Sequence, residues 1–243
     1  MTSQVPPRSA DGLANMKAIV FDLGDTLVEY EGVPLSWEAH YPEALGSLAG
    51  FLGVAVDSDQ IAGASAVLRR YNTRIHPREE EIPFKVILTE ILQYFAVPVE
   101  ADEIACAGSF FHIFRQRLRC FPDTKPALDA IRKQGMKIGV FTDVPYGMPQ
   151  RLVLEDASDA GLGDAFDVLL TSRDAGFRKP SAATLRLVAV ELGCYAHEMA
   201  YVGNEQKDVE AARNFGCCSI LIDRQRRGSD WGQTRTITSL AEL

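Results

Sequence analysis

No run in this 243-residue chain approaches the roughly 20 consecutive apolar residues that a membrane helix needs, so no membrane partner is expected. Basic residues are in short supply. Twenty-five Lys and Arg face 33 Asp and Glu, a formal net charge of −8. That balance argues against nonspecific attachment to nucleic acid or to an anionic membrane. Cysteine is sparse. Cys106, Cys120, Cys194, Cys217 and Cys218 form no CxxC pair and no even framework. A disulfide-stapled domain is therefore not expected, and reduced thiols in a cytoplasmic protein are. The adjacent Cys217 and Cys218 read as strand residues. The first 15 residues, MTSQVPPRSADGLAN, lack an apolar core and read as a flexible tail rather than a signal peptide. There is no internal repeat and no low-complexity tract. What remains, 47% hydrophobic and 24% charged, is the composition of an ordinary globular chain long enough to bury a sizeable core.

Five short apolar runs read as buried parallel strands: Ala18–Asp22, Lys137–Thr142, Asp167–Thr171, Met199–Gly203 and Cys218–Ile222. They show no polar alternation, as in a sheet covered on both faces. Helical patterns at Lys125–Gln134, Ser181–Leu192 and Val209–Phe215 each end on a glycine: Gly135, Gly193 and Gly216. Strand–helix alternation of this kind predicts a doubly wound parallel α/β sheet.

The first two strands are separated by sequence of another kind. Between about Glu31 and Arg119 no good strand is found. Ile61, Ala64, Leu68, Tyr71 and Ile75 follow helical spacing. So do Ile87, Ile91, Tyr94 and Phe95, and so do Ile104, Phe111, Phe114 and Leu118. Breaks are expected at Pro34, His76-Pro77 and Val97-Pro98. The expected organisation is a tail over 1–15, an α/β core of 16–30 and 120–243, and an all-helical insert over 31–119.

In an open parallel sheet, ligands sit at the carboxyl ends of the strands. Those ends hold Asp22, in FDLGDT, then Thr142-Asp143, then Asn204, Glu205 and Asp208 in GNEQKD, with Lys179 nearby in GFRKP. Carboxylates, a hydroxyl and a lysine thus gather in one region.

Four motifs in this order, AIVFDLGDTLV, IGVFTD, GFRKP and YVGNEQKDVEAARNFG, resemble the haloacid dehalogenase (HAD) superfamily from Met16 to the C-terminus. The resemblance implies a Rossmann-like core and makes the insert a helical cap of the C1 type. It implies a hydrolase in which Asp22 is the nucleophile and Lys179 neutralises charge. Thr142 and Asp143 would bind the phosphoryl group of a small anionic, phosphorylated substrate. Mg²⁺ would be held by Asp22, the Gly24 carbonyl and the Asn204, Glu205 and Asp208 region. Nothing in the residues bears on oligomeric state.

Two departures from the phosphatase pattern matter. DxDGT reads Asp22-Leu23-Gly24-Asp25-Thr26, so the residue that protonates the leaving group in such phosphatases is a glycine. Asp25, one position along, is a candidate replacement. GDxxxD begins Gly203-Asn204, which offers an oxygen without charge. Both departures also suit a metal-independent 2-haloacid dehalogenase, or a binding or regulatory protein that keeps the fold without turnover. Thr142-Asp143, where such dehalogenases carry Ser-Asn, favours phosphate chemistry. The insert and its junctions offer Arg69, Arg70, Arg74, His76, Arg78, Lys85, Arg115, Arg117 and Arg119 as cationic candidates. Trp37, His40 and Tyr41 are candidate cleft residues.

Overall fold

The run Ala18–Phe21 forms the first strand, β1, and all four of its residues are buried. The structure, a computed structural model, describes residues 15–32, 36–97, 101–115 and 118–243. Residues 1–14 of the expected tail, the expected breaks at Pro34 and Pro98, and Arg117 lie outside the described residues.

After β1 come β2 (Val28–Tyr30) and four helices, α1 (Tyr41–Leu52), α2 (Ser58–Tyr71), α3 (Phe84–Phe95) and α4 (Glu103–Arg115). Then follow β3 (Leu118–Cys120), α5 (Thr124–Lys133), β4 (Lys137–Thr142), α6 (Gln150–Asp159) and β5 (Val168–Thr171). The chain ends with the single-turn α7 (Ser172–Ala175), α8 (Ala183–Leu192), β6 (Met199–Gly203), α9 (Gln206–Phe215), β7 (Cys218–Ile222) and β8 (Arg235–Ile237).

Six strands form one parallel sheet in the order β5-β4-β1-β6-β7-β8. Both faces are covered, which is why the strands read as continuous apolar runs. Ile19 and Phe21 pack on one face with Leu128 and Ile131 of α5 and Leu152 of α6. Ala18 and Val20 pack on the other with Leu185 and Val188 of α8 and Ala211 of α9. Gly193 and Gly216 close α8 and α9 at φ 66° and 87°, the left-handed conformation that glycine adopts at least cost.

Among the described residues, the four α-helices between β2 and β3 bury one face each. Phe84, Ile87, Leu88, Ile91, Leu92 and Phe95 recur at three- and four-residue spacing on α3, and α2 and α4 pack against it. Tyr94, expected in this core, is 45% exposed. Its ring lies over Gly63, where a Cβ would come within 2.3 Å of it. Ile75 lies beyond the end of α2, in a turn where its N–H donates to the Asn72 carbonyl.

Leu118 does not continue a helix. It opens β3, which pairs antiparallel with β2 (Val28↔Cys120, Tyr30↔Leu118). The chain leaving the sheet and the chain returning to it therefore lie side by side. Both strands have three residues, too few for an alternation to register in sequence. β8, with only Ile237 buried, escaped notice for the same reason, and α6 was not singled out.

Candidate active site

Around β1 the strand order reverses, and β4 and β6 flank it. Their carboxyl ends open together. Asp22 is the first residue past β1, Thr142 the last of β4, and Asn204 the first past β6. Lys179 arrives on the loop between α7 and α8. Asp22, Gly24, Asp25, Thr142, Asp143, Lys179, Asn204 and Glu205, all chosen from sequence, line one cavity of about 190 Å³.

At its floor is a buried cation. Lys179 is 4% exposed, and its ammonium donates to Asp22 Oδ1 at 2.7 Å, Asp208 Oδ1 at 2.6 Å and the Tyr201 hydroxyl at 3.2 Å. Those are three acceptors for three N–H donors. Tyr201 donates in turn to the Phe141 carbonyl at 2.9 Å, which fixes its oxygen toward the lysine.

Two carboxylates share this one ammonium, so the buried group carries an excess negative charge. Burial pushes Asp22 up to about 7; Lys179 opposes the rise and Asp208 adds to it. Burial works against the charge on Lys179, but Asp208 and Asp22 outweigh it and hold the lysine well above its ordinary range.

Asp208 is placed differently from the other candidates. Its Oδ1 holds Lys179, and its Oδ2 accepts the N–H groups of Asn204 at 2.9 Å and Glu205 at 2.8 Å, at the start of α9. A carboxylate there also meets the positive end of the helix. It stands behind Lys179 rather than on the cavity wall.

Asp143 Oδ1 accepts the Lys179 backbone N–H at 3.1 Å. Its Oδ2 is buried without a well-directed hydrogen bond, 3.2 Å from Lys207 Nζ and 3.8 Å from the Arg178 guanidinium. Burial would raise this carboxyl, but Lys179, Arg178 and Lys207 outweigh that and hold it below the usual carboxylate range. Glu205 ion-pairs with Arg74 and with Lys207, at 3.0 Å in the latter case. Burial again opposes, yet Lys207 and Arg74 bring Glu205 down to about 2.

Gly24 leaves space: a Cβ there would meet nothing nearer than the Tyr30 ring at 3.9 Å. Asp25 adopts a left-handed backbone, φ 56°, with its N–H donated to the Val28 carbonyl at 2.7 Å. The residue lines the cavity, and burial and nearby Glu205 push its carboxyl upward. No cluster of three or more His, Cys, Asp and Glu is arranged to hold a metal by itself among the described residues. A cation here would depend on the Gly24 carbonyl and the Asn204 amide oxygen beside Asp22.

Of the cationic candidates, Arg74 lines this cavity, and Arg115 lines a smaller chamber beside it. Trp37 lines both. Tyr41 instead hydrogen-bonds the Tyr146 hydroxyl at 2.5 Å, and His40 sits edge-on to Phe114.

Sequence reasoning missed Tyr201, Tyr146, Lys207 and the Glu81–Arg178 pair. Arg178 stands beside Lys179 in GFRKP and Lys207 inside GNEQKD, so both were in view. Glu81 carried no signal: it lies in an acidic run that reads as solvated, yet it is buried against Arg178 and accepts the Ser172 hydroxyl at 2.5 Å. Around that pair, Arg178 N donates to the Glu79 carbonyl at 2.6 Å and Glu81 N to the Gly176 carbonyl at 2.9 Å. The helical insert is thereby sewn to the loop that carries Lys179.

A family model for haloacid dehalogenase-like hydrolases matches residues 16–216, and the chain belongs to that family of enzymes. Among curated relatives it is 28% identical to a phosphoserine phosphatase of Thermus thermophilus, over 88% of this chain and 92% of that protein. It is 32% identical to a phosphatase of Mycobacterium tuberculosis, Phosphatase MT3486, over 51% of this chain; the match spans about half of the relative's length, 55%. Among solved structures it resembles a 2-haloacid dehalogenase from Pseudomonas syringae, with a TM-score of 0.68 and 23% identity over 94% of this chain and 96% of that one. At that identity the likeness concerns the fold. No helix among the described residues is long and apolar enough to cross a membrane.

Proposed function

We propose that this chain is a phosphohydrolase that acts on small phosphorylated molecules through an aspartyl-phosphate on Asp22. One observation carries the reading: a nucleophile-type carboxylate held at 2.7 Å by a buried lysine whose other partners are Asp208 and Tyr201. Lys179 compensates charge as two anions approach and keeps Asp22 Oδ1 in place, which leaves Oδ2 for phosphorus. In the first step the Asp22 oxygen bonds to phosphorus and the ester P–O bond breaks, its electron pair leaving with the organic oxygen. In the second, water attacks phosphorus, the Asp22–phosphorus bond breaks, and inorganic phosphate departs. The proton of that water passes to solvent, and Asp25 lines the space through which the water enters. Thr142 and Asp143 line the space for the phosphoryl group, with Thr142 as the hydroxyl donor.

The donor set suits Mg²⁺: a hard cation prefers oxygen ligands, and the excess negative charge of Asp22, Lys179 and Asp208 calls for one. Asp22, the Gly24 carbonyl and Asn204 would hold it, with Glu205, whose oxygens pair with Arg74 and Lys207, adding negative charge beside it; there it would supply charge neutralisation between carboxylate and phosphate. Asp208, its oxygens engaged, we assign to positioning Lys179. The insert, sewn to the Lys179 loop, would act as the cap that selects the substrate. Five free thiols support a reducing, cytoplasmic setting. Phosphatase relatives aligned over most of the chain support this reading over the dehalogenase alternative.

The test is phosphate release from p-nitrophenyl phosphate and acetyl phosphate with Mg²⁺, by wild type and Asp22→Asn. Metal-dependent turnover that falls by roughly 10³-fold or more in the variant supports the reading. Halide release from 2-chloropropionate in EDTA, with no phosphate release, replaces it with the dehalogenase.

A further inference from the structure

Beside the cavity lies a second chamber of about 100 Å³. Gly24, Tyr30, Trp37, Thr142, Asp143 and Pro145 wall both spaces. Beyond them the second chamber is lined by Leu23, Phe114, Val144, Met148 and Val153. The Trp37 indole lies flat on Phe114, centroids 3.8 Å apart and planes 9° apart. Arg115 also lines it, its Nε–H given to Asp156 at 2.5 Å and its Nη2 to the Leu152 carbonyl at 3.0 Å and Glu155 at 3.2 Å. This is an apolar, aromatic-walled space. Apolar cavities of roughly 150 Å³ accept a benzene ring. The chamber is about a third smaller but shares six wall residues with the phosphoryl site.

A second observation concerns protons: among the described residues, no carboxylic acid on the chamber's walls is placed to give one to a leaving group. Gly24, on the boundary between the two spaces, has no side chain to act as an acid or to close the passage. Asp25 lines the first space but is absent from the walls of the second. The Tyr30 hydroxyl donates to Asp156 Oδ2 at 3.3 Å, and burial together with Asp156 pushes it up, away from acidity. Asp143 is held ionised by the cations around it. An organic group leaving into this chamber must depart as its own anion. An aliphatic alkoxide does so poorly. A phenolate, whose parent acid has a pKa near 10, does so readily.

We propose that the chamber bounded by Gly24, Trp37 and Phe114 is the leaving-group site, and that the substrates are aryl phosphate monoesters. This rests on the phosphatase reading and narrows it. Asp22 Oδ2 bonds to phosphorus, the aryl-oxygen–phosphorus bond breaks, and the aryloxide carries off the electron pair while its ring stays in the chamber. Water then bonds to phosphorus and releases Asp22 and phosphate. The aryloxide oxygen takes its one proton from solvent after release, not from a protein group.

The experiment compares kcat/KM for 1-naphthyl phosphate, phenyl phosphate, cyclohexyl phosphate and acetyl phosphate with Mg²⁺. Acetyl phosphate reads the core chemistry, because its small leaving group needs neither acid nor chamber. The aryl esters are expected to exceed cyclohexyl phosphate by about 10²–10⁴-fold, the usual contribution of general acid help. Val153→Phe and Met148→Trp each fill the chamber. In whichever variant keeps its thermal transition, the naphthyl-to-acetyl ratio is expected to fall at least about tenfold. Gly24→Asp restores an acid and narrows the passage, so the cyclohexyl-to-naphthyl ratio is expected to rise. Cyclohexyl phosphate cleaved as fast as phenyl phosphate overturns the proposal. So does a naphthyl-to-acetyl ratio that stays constant in both filled variants. No phosphate from any compound, acetyl phosphate included, overturns the phosphatase reading itself.

Discussion

Lys179 Nζ and Asp22 Oδ1 stand 2.7 Å apart although 157 residues separate them in sequence, and both side chains are almost wholly withdrawn from water. The contact exists because β1 occupies the centre of the sheet and the loop before α8 folds over its end. Lys179→Met would leave Asp22 and Asp208 buried beside each other with no cation. Breaking a buried pair by removing one partner costs about 3–5 kcal/mol. Urea unfolding of the variant should show that loss, along with a fall in phosphate release of roughly 10²–10³-fold. Unchanged turnover would remove Lys179 from the chemistry.

Glu81 and Arg178 form a second buried pair, this time between the helical insert and the Lys179 loop. Glu81→Ala strands the Arg178 guanidinium in the interior and should lower unfolding free energy by about 3–5 kcal/mol. Replacing both residues with apolar ones of similar size, Glu81→Leu with Arg178→Met, should recover much of it. Denaturant midpoints of the single and double variants measure the difference. A single variant as stable as wild type would show that the pair does not hold the insert to the core.

Arg74 and Glu205 make the exposed counterpart, with side chains 39% and 27% accessible. Solvent screening limits such a pair to about 0–1 kcal/mol. Arg74→Ala should therefore barely move the thermal transition. Because Arg74 also lines the cavity, the same variant should raise KM for an anionic ester by about tenfold with a smaller change in kcat. A change in kcat alone would place Arg74 in the chemical step instead.

The folded state also responds to pH at Asp156, whose Oδ1 accepts from Arg115 at 2.5 Å. Burial raises this carboxyl from 3.8 to about 6, against the pull of Arg115. Between those values the folded chain holds a proton that the unfolded chain has lost. This contribution to stability therefore falls as pH rises from about 4 to 6, by on the order of 3 kcal/mol. The pH dependence of urea unfolding, compared between wild type and Asp156→Asn, isolates it. Identical slopes in the two proteins would refute the assignment.

The sequence pattern located the strands that matter because β1, β4, β6 and β7 are buried on both faces, and such runs are long enough to read. Asp22, Thr142 and Asn204 were findable because strand ends in a parallel sheet converge, and Lys179, on a loop, because of its GFRKP motif. What stayed hidden depended on partners far along the chain. Tyr201 matters because its hydroxyl meets Lys179, and Glu81 because it pairs with Arg178, 97 positions away. Asp208 was read as a metal ligand from its motif, and only coordinates show both its oxygens engaged by Lys179 and the start of α9. The strands β2, β3 and β8 fell below the length at which alternation carries information.

The central claim is that Asp22 becomes phosphorylated during turnover. Mixing the enzyme with Mg²⁺ and p-nitrophenyl phosphate, quenching in acid within the first turnover, and sequencing the peptides by mass spectrometry tests it. One phosphoryl group is expected on the Asp22 carboxylate, labile to hydroxylamine and missing in Asp22→Asn. Released nitrophenol in stoichiometric amount, with Asp22 unmodified at every quench time and turnover surviving in Asp22→Asn, would contradict it.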